Sequence, residues 1–270
     1  MERKIGFIGA GAMAEAIING LICSNFIESD CIYVSDVNEV RLQYLAEKYL
    51  INTATDNTSF LDSVDVLVLA VKPQIFPNVL TKEFLTALPE NRLIVSIMGS
   101  INLEQLQYGL GRQRIVRTMP NTPLAVGAGM TAITATSSVS AEDLNLVKVI
   151  FATCGEVVEV SENQMEAVTA ISGCGPGYVF MMIDALADAG VMAGLSREMS
   201  IKLAAQTFYG AGKMLLNTKE HPAILRDKVT SPAGTTIAGI RTLEQCGVRS
   251  ALIECVASVL ERSKEIMTKK

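Results

Sequence analysis

The sequence predicts an α/β fold, a doubly wound sheet over residues 1–162, followed by an all-α domain over 163–270. Three observations carry this. Short aliphatic runs alternate with amphipathic helical patterns from Lys4 to about Val160, as parallel strands joined by crossover helices do. The run Val64–Val71 is almost continuously aliphatic, which suits a strand covered on both faces. From Asn163 to Thr268 only helical periodicity remains.

Taken in order, Lys4–Ile8 is the first strand, and Ala12–Ile22 follows as a helix with Met13, Ala16, Ile17 and Leu21 on its apolar face. Cys31–Ser35 is the second strand, ending at Asp36, and Asn38–Tyr49 the second helix. After Val64–Val71 come a strand at Leu93–Ile97, a helix at Asn102–Gly109 and a strand at Ile115–Thr118. Met119-Pro120-Asn121-Thr122-Pro123 is a rigid loop, since two prolines fix its backbone. Gly129–Thr136 and Glu156–Val160 are strand-like around a helix at Ala141–Phe151, so the last strands are expected to be partly antiparallel. The helical half reads as Gln164–Ala189, broken near Gly173–Gly177, then Ser196–Asn217, His221–Thr230, Thr235–Cys246 and Val248–Met267. Its first two helices are apolar on more than one face, the mark of a buried helix or an oligomer interface.

Composition excludes several classes. Of the 270 residues, 49% are hydrophobic and 19% charged, enough to fill a substantial core. A net charge of −5 and the lack of a Lys/Arg stripe argue against nucleic acid. No apolar run reaches the ~18 residues that cross a bilayer, and the N-terminus enters a strand directly, without a signal-peptide pattern. A soluble cytoplasmic protein is expected. The six cysteines form no C-x-x-C pair and suit reduced, mostly buried thiols. His221 is the only histidine, which removes most Ser-His-Asp, Cys-His and His-ligated metal sites, and no metal ligands are assigned.

The chemistry-bearing stretches begin with Gly9-Ala10-Gly11-Ala12-Met13-Ala14. A strand, a glycine turn and a helix N-terminus together form the arrangement that holds a dinucleotide pyrophosphate, the Rossmann-type signature. Gly9 permits the turn, Gly11 leaves room for the phosphates, and Ala14 replaces the third glycine while staying small enough for helix–strand packing. The same residues also suit a ligand-free β-α turn. Asp36, at the end of the second strand, is placed to accept both adenosine ribose hydroxyls, which favours NAD. Arg41 nearby could instead meet a 2′-phosphate, and alanine at position 14 is frequent in NADP-binding variants. Ala70-Val71-Lys72-Pro73 ends the third predicted strand at the sheet edge where ligands sit, with Lys72 either near the cofactor or solvated. In Ser172-Gly173-Cys174-Gly175-Pro176-Gly177-Tyr178 each helical glycine costs ~1 kcal/mol relative to alanine, so the stretch needs a close approach or a hinge. Ser231-Pro232-Ala233-Gly234-Thr235-Thr236 lies between helices, with Thr235 or Thr236 able to cap Ile237–Cys246. Such a turn offers N–H groups and hydroxyls to a carboxylate, or is simply a capped connection.

In order, these motifs resemble pyrroline-5-carboxylate reductase across essentially the whole chain, most specifically at Ser231–Thr236. The resemblance implies an N-terminal Rossmann-type domain, an all-α C-terminal substrate-binding and dimerisation domain, and reduction of 1-pyrroline-5-carboxylate to L-proline by NADP(H) or NAD(H). It implies a homodimer, often assembled into a decamer. It places Ile8, Gly9, Ala10, Gly11, Ala12, Met13, Ser35, Asp36, Asn57, Ala70, Val71, Lys72, Pro73 and Met98 on the cofactor side. Ser231, Gly234, Thr235 and Thr236 fall on the substrate side, with the Thr236 hydroxyl on the ring nitrogen. The family usually carries Gly where Ala233 stands and Ala where Gly177 stands; a methyl group at 233 narrows the loop.

Two other readings share parts of this pattern. Two-domain β-hydroxyacid dehydrogenases resemble each other in using a lysine on the long interdomain helix, and this chain has no lysine between Lys148 and Lys202. A regulatory protein that binds NAD(P) without turnover has the same order of motifs.

Overall fold

The computed structural model describes residues 3–268, with side chains to 265. Eight strands form one sheet: β1 (Ile5–Ile8), β2 (Ile32–Ser35), β3 (Asn52–Ala54), β4 (Val66–Leu69), β5 (Leu93–Ser96), β6 (Arg114–Met119), β7 (Gly129–Ala135) and β8 (Gly155–Glu159). Their order is β3-β2-β1-β4-β5-β6-β7-β8. All neighbours run parallel except β6 and β7. β7 and β8, parallel to each other, therefore run against the rest, as the sequence led us to expect.

The helices of this part are α1 (Ala12–Cys23), α2 (Glu39–Tyr49), the short α3 (Phe76–Val79) and α4 (Lys82–Ala87), α5 (Leu103–Leu110), α6 (Ala141–Ala152) and α7 (Met165–Val168). Alternate strand residues feed two cores. Ile5 and Phe7 of β1, Val66 and Val68 of β4, and Val95 of β5 join Ile17, Leu45 and Phe151. Ile8, Leu67, Leu69 and Ile94 join Phe60, Phe76 and Phe84 on the other face. Both sheet faces are covered, which is why β4 tolerates no polar residue. Three elements escaped the sequence reading: β3, α3 and α4, each too short to show a period.

The strands' carboxyl ends align across the sheet. Ser35, Ile8, Leu69, Ser96 and Arg117 are successive partners in register. Strand order reverses between β1 and β4, where the ends of an open sheet leave a crevice.

The chain divides into two compact units, residues 3–173 with 263–268, and residues 174–262. Strands end at Glu159, close to the 162/163 boundary read from sequence, whereas the first compact unit runs on to Gly173. The second unit holds α8 (Gly175–Met192), α9 (Arg197–Thr218), α10 (Pro222–Lys228), α11 (Thr235–Gln245) and most of α12 (Val248–Thr268). Pro176 lies in the first turn of α8, where its missing N–H costs nothing. His221 caps α10, accepting the Ala223 N–H at Nδ1 (3.2 Å). Among its described residues this unit buries only Ala187, Ser200 and Ala204, and leaves Phe180, Met181, Met192, Leu203, Leu216 and Ile253 exposed. By length and mean hydropathy the helical run Glu162–Met192 could cross a membrane. Its longest uncharged stretch, 167–183, is 17 residues and contains Pro176 and three glycines.

Candidate active site

The glycine turn sits at the reversal point. Gly9 has φ +104°, and a Cβ there would lie 2.8 Å from the Ala70 carbonyl oxygen. Its N–H donates to Ser35 O at 2.7 Å, so the turn threads between the ends of β2 and β4. Only glycine meets both demands. Gly11 is the N-cap of α1, has no side-chain cap, and a Cβ on it would meet nothing within 4 Å. The first intrahelical bond runs from the Glu15 N–H to Gly11 O, so the N–H groups of Ala12, Met13 and Ala14 have no intrahelical acceptor. Open space above uncapped donors at the positive end of a twelve-residue helix fits a pyrophosphate. Gly11 and Ala12 are exposed and Met13 half-buried, whereas Ala14 is buried against the sheet. Ile8 and Ala10 are also buried, so they offer a ligand their backbone alone.

At the end of β2 the Asp36 carboxylate braces this turn. Oδ2 accepts the Ala10 N–H (2.7 Å) and Oδ1 the Asn38 N–H (2.9 Å). A carboxylate has about four acceptor sites, so each oxygen keeps one for a ribose hydroxyl. Ser35 does not reach outward: it is buried, and its hydroxyl donates to Asn57 Oδ1 at 2.7 Å. Ser35 is therefore a support for half-buried Asn57.

Arg41 is not free to turn either way. Its Nε donates to Ala10 O at 2.7 Å, its Nη2 pairs with Glu15, and its guanidinium lies 5.0 Å from the Tyr44 ring centroid. Glu15 was not singled out from sequence, because its partners lie 26 or more residues away. Burial pushes its carboxyl up, and hydrogen bonds from Arg41, Lys48, Tyr49 and Tyr44 more than reverse this, leaving it at about 2.

Beyond β4, Ala70 is tied to β1 by its N–H on Ile8 O (2.8 Å), and Ile75 N–H closes a turn on Lys72 O (2.9 Å). Ala70, Val71 and Pro73 are half-buried and Lys72 is exposed. Met98 is buried in the second core, and its N–H takes Ser96 Oγ as acceptor (3.3 Å).

The two-proline loop and the interrupted helix meet through Asn121, another residue to which the sequence reading gave no role. Its Nδ2 donates to Ser172 O (3.0 Å) and its Oδ1 accepts the Met130 N–H (2.9 Å). Ser172 belongs to a π-helical turn, Thr169–Gly173, where a Gly173 Cβ would lie 2.7 Å from Met119 Cε. The close approach expected of these glycines is thus met at Gly173. Two residues before Met119, Arg117 is buried and pairs with Glu162 (2.5 Å) and Glu166 (3.5 Å).

In the helical unit, Ser231–Gly234 is a reverse turn closed by the Gly234 N–H on Ser231 O (3.0 Å). Pro232 occupies its second position and Ala233 its third, with φ +58°. A turn with positive φ at the third position is of type II and calls for glycine there. That is why the family's usual residue fits and Ala233 is strained. The expected threonine cap is corrected: α11 starts at Thr235 and its N-cap is Gly234, without a side-chain cap. The reason is the turn itself, which delivers the chain into helical geometry one residue earlier. Gly234 spends its N–H on the turn, and a Cβ there would lie 2.3 Å from Ser231 Oγ. The hydroxyls of Ser231, Thr235 and Thr236 are exposed and make no hydrogen bond among the described residues. The Thr235 and Thr236 N–H groups have no intrahelical acceptor. The loop offers donors, one charge sign of ligand suits it, and that is an anion.

Comparison with known proteins agrees with both halves. Residues 162–266 match the family model for pyrroline-5-carboxylate reductase dimerisation, and residues 4–100 that for NADP oxidoreductase, coenzyme F420-dependent. The pyrroline-5-carboxylate reductase of Synechocystis is 46% identical, over 98% of this chain and 99% of that protein. Among solved structures, the enzyme from Coxiella burnetii superposes with a TM-score of 0.92 at 37% identity, covering 98% of each chain. That of Plasmodium falciparum pyrroline carboxylate reductase with NADP bound gives 0.85 at 34%, covering 99% of each. The chain belongs to the pyrroline-5-carboxylate reductase family.

Proposed function

We propose that this protein reduces 1-pyrroline-5-carboxylate to L-proline with NAD(P)H, the last step of proline biosynthesis. The observation that carries it is the Ser231–Thr236 turn, an exposed set of N–H and hydroxyl donors opening an eleven-residue helix, in a chain whose other unit carries a pyrophosphate cradle. Bound NAD(P)H supplies a hydride to the carbon of the C=N bond. The chain's own residues position the reactants, which is where most of the rate advantage lies. The glycine turn and the start of α1 fix the pyrophosphate, and Asp36 the ribose. Thr235 and Thr236 N–H groups with the Ser231 hydroxyl hold the substrate carboxylate, and the Thr236 hydroxyl hydrogen-bonds the ring nitrogen. The imine nitrogen brings its own proton, and the C=N electron pair moves onto it as the hydride adds. No histidine acid is needed, in keeping with His221 serving as a helix cap.

The assay is oxidation of NADH and NADPH with 1-pyrroline-5-carboxylate added. Proline formation at the rate of cofactor oxidation supports the reading; cofactor binding without turnover would favour a regulatory NAD(P)-binding protein.

The helical unit, with three buried residues among those described, cannot hold its fold by internal packing alone. A second copy of this chain is its cover, giving a cytoplasmic homodimer, the unit from which the decamer that the resemblance implies is built. Light scattering on the purified protein tests this: masses of two or ten chains agree, and a monomer would refute it.

A further inference from the structure

Both basic side chains of α2 are Arg41 and Lys48, and Glu15 holds both. Glu15 Oε2 pairs with Arg41 Nη2; Oε1 accepts from Lys48 Nζ (3.0 Å), Tyr44 OH (3.1 Å) and Tyr49 OH (3.1 Å). The Glu15 side chain keeps 18% of its surface, so the cluster is an anchored one. Arg41 is further committed to the Ala10 carbonyl of the glycine turn, and Lys48 Nζ to Tyr44 OH at 2.7 Å. What remains at the turn after β2 is the Asp36 carboxylate, flanked by exposed Val37 and Val40. A carboxylate there accepts from a ribose 2′-hydroxyl and repels a 2′-phosphate, which requires a cationic fork instead.

We propose that Glu15 is a cofactor-selectivity residue: by holding Arg41 beside the glycine turn it denies a 2′-phosphate its cationic partner and leaves Asp36 to take the ribose hydroxyls, so that the protein prefers NADH. This deepens the reading given above and rests on it for the adenosine ribose lying at the end of β2.

The test is binding alone, with no imine substrate, so a failure of turnover does not obscure it. Wild type and Glu15→Gln are titrated with NADH and with NADPH, following nicotinamide fluorescence, after a thermal melt confirms folding. Wild type binds NADH more tightly. In Glu15→Gln the Kd for NADPH falls about tenfold, the worth of one charge-assisted hydrogen bond, while that for NADH moves less than about twofold. The gain shrinks in high salt, as a newly exposed cation–phosphate contact must. A wild type that prefers NADPH, or a variant in which both values move together, overturns the proposal. Should Glu15→Gln fail to fold, Arg41→Gln reads the same claim from the other side. An arginine withheld by Glu15 leaves the NADPH-to-NADH ratio unchanged when lost, whereas selective loss of NADPH binding overturns the proposal. If neither cofactor binds wild type, the assignment of the cofactor side itself falls, and this inference with it.

Discussion

Ala233→Gly should make the protein more stable, although it removes a methyl group. Ala233 sits at φ +58°, in the third position of the turn that opens the candidate substrate loop. Left-handed backbone costs a non-glycine residue about 1–2 kcal/mol. Against that, glycine at the same place frees the unfolded chain by about 0.4–1 kcal/mol. The residue is exposed, so no burial is lost. The balance is about 0.5–1 kcal/mol in favour of glycine, or about 1–4 °C in Tm for a chain of this size. The assay is thermal unfolding of both proteins at equal concentration, since the oligomer makes Tm concentration-dependent. Measuring KM for 1-pyrroline-5-carboxylate alongside separates strain from function: relief of strain alone raises Tm and leaves KM unchanged, while a narrowed loop adds a fall in KM. A lower Tm in the glycine variant would refute the reasoning, for it would mean the alanine backbone is not strained in the folded protein.

Three further outcomes follow from the first unit. Gly9→Ala places a methyl group 2.8 Å from the Ala70 carbonyl oxygen at φ +104°; it should cost about 2–4 kcal/mol in urea unfolding and abolish cofactor fluorescence enhancement, and retention of both would remove Gly9 from the cradle. Glu15 titrates at about 2 when folded against an ordinary value of 4.5, so its contribution to stability is complete above pH 4.5 and is lost as pH falls toward 2. The stability difference between wild type and Glu15→Gln should therefore be largest at neutral pH and shrink on acidification, and a difference independent of pH would contradict the assignment. Arg117→Met removes the cation shared by Glu162 and Glu166, whose side chains keep 34% and 28% exposure. The loss should be about 2–4 kcal/mol, somewhat below the ~3–5 of a fully buried pair, read as a lower urea midpoint with an unchanged m-value.

How much of this was legible before the structure depends on the range of the forces involved. The β1 turn was readable because glycine is demanded there by local backbone geometry, and β4 because burial on both faces writes itself into consecutive aliphatic residues. β3, α3 and α4 were not, since three to six residues carry no period. The start of α11 at Thr235 was legible but its cap was not, because threonine is a good cap in general, while the turn through Ala233 puts Gly234 in that position. Ser35 reads as a polar residue at a strand end, yet register with Ile8 buries it. Glu15 left no mark, and Asn121 only that of a residue in the two-proline loop. Their roles exist only through partners far along the chain, at Arg41 and Lys48 and at Ser172 and Met130, and no short-range pattern encodes such pairs.

The central claim is that the Ser231–Thr236 turn receives the substrate while the glycine turn receives the cofactor. Its most direct test is the steady-state rate of Thr236→Ala with 1-pyrroline-5-carboxylate, measured beside the Kd for the reduced cofactor. Loss of one charge-assisted hydrogen bond predicts a fall in kcat of about tenfold to a hundredfold, with the cofactor Kd unchanged. An unaltered kcat, or a loss of cofactor affinity in parallel, would contradict it.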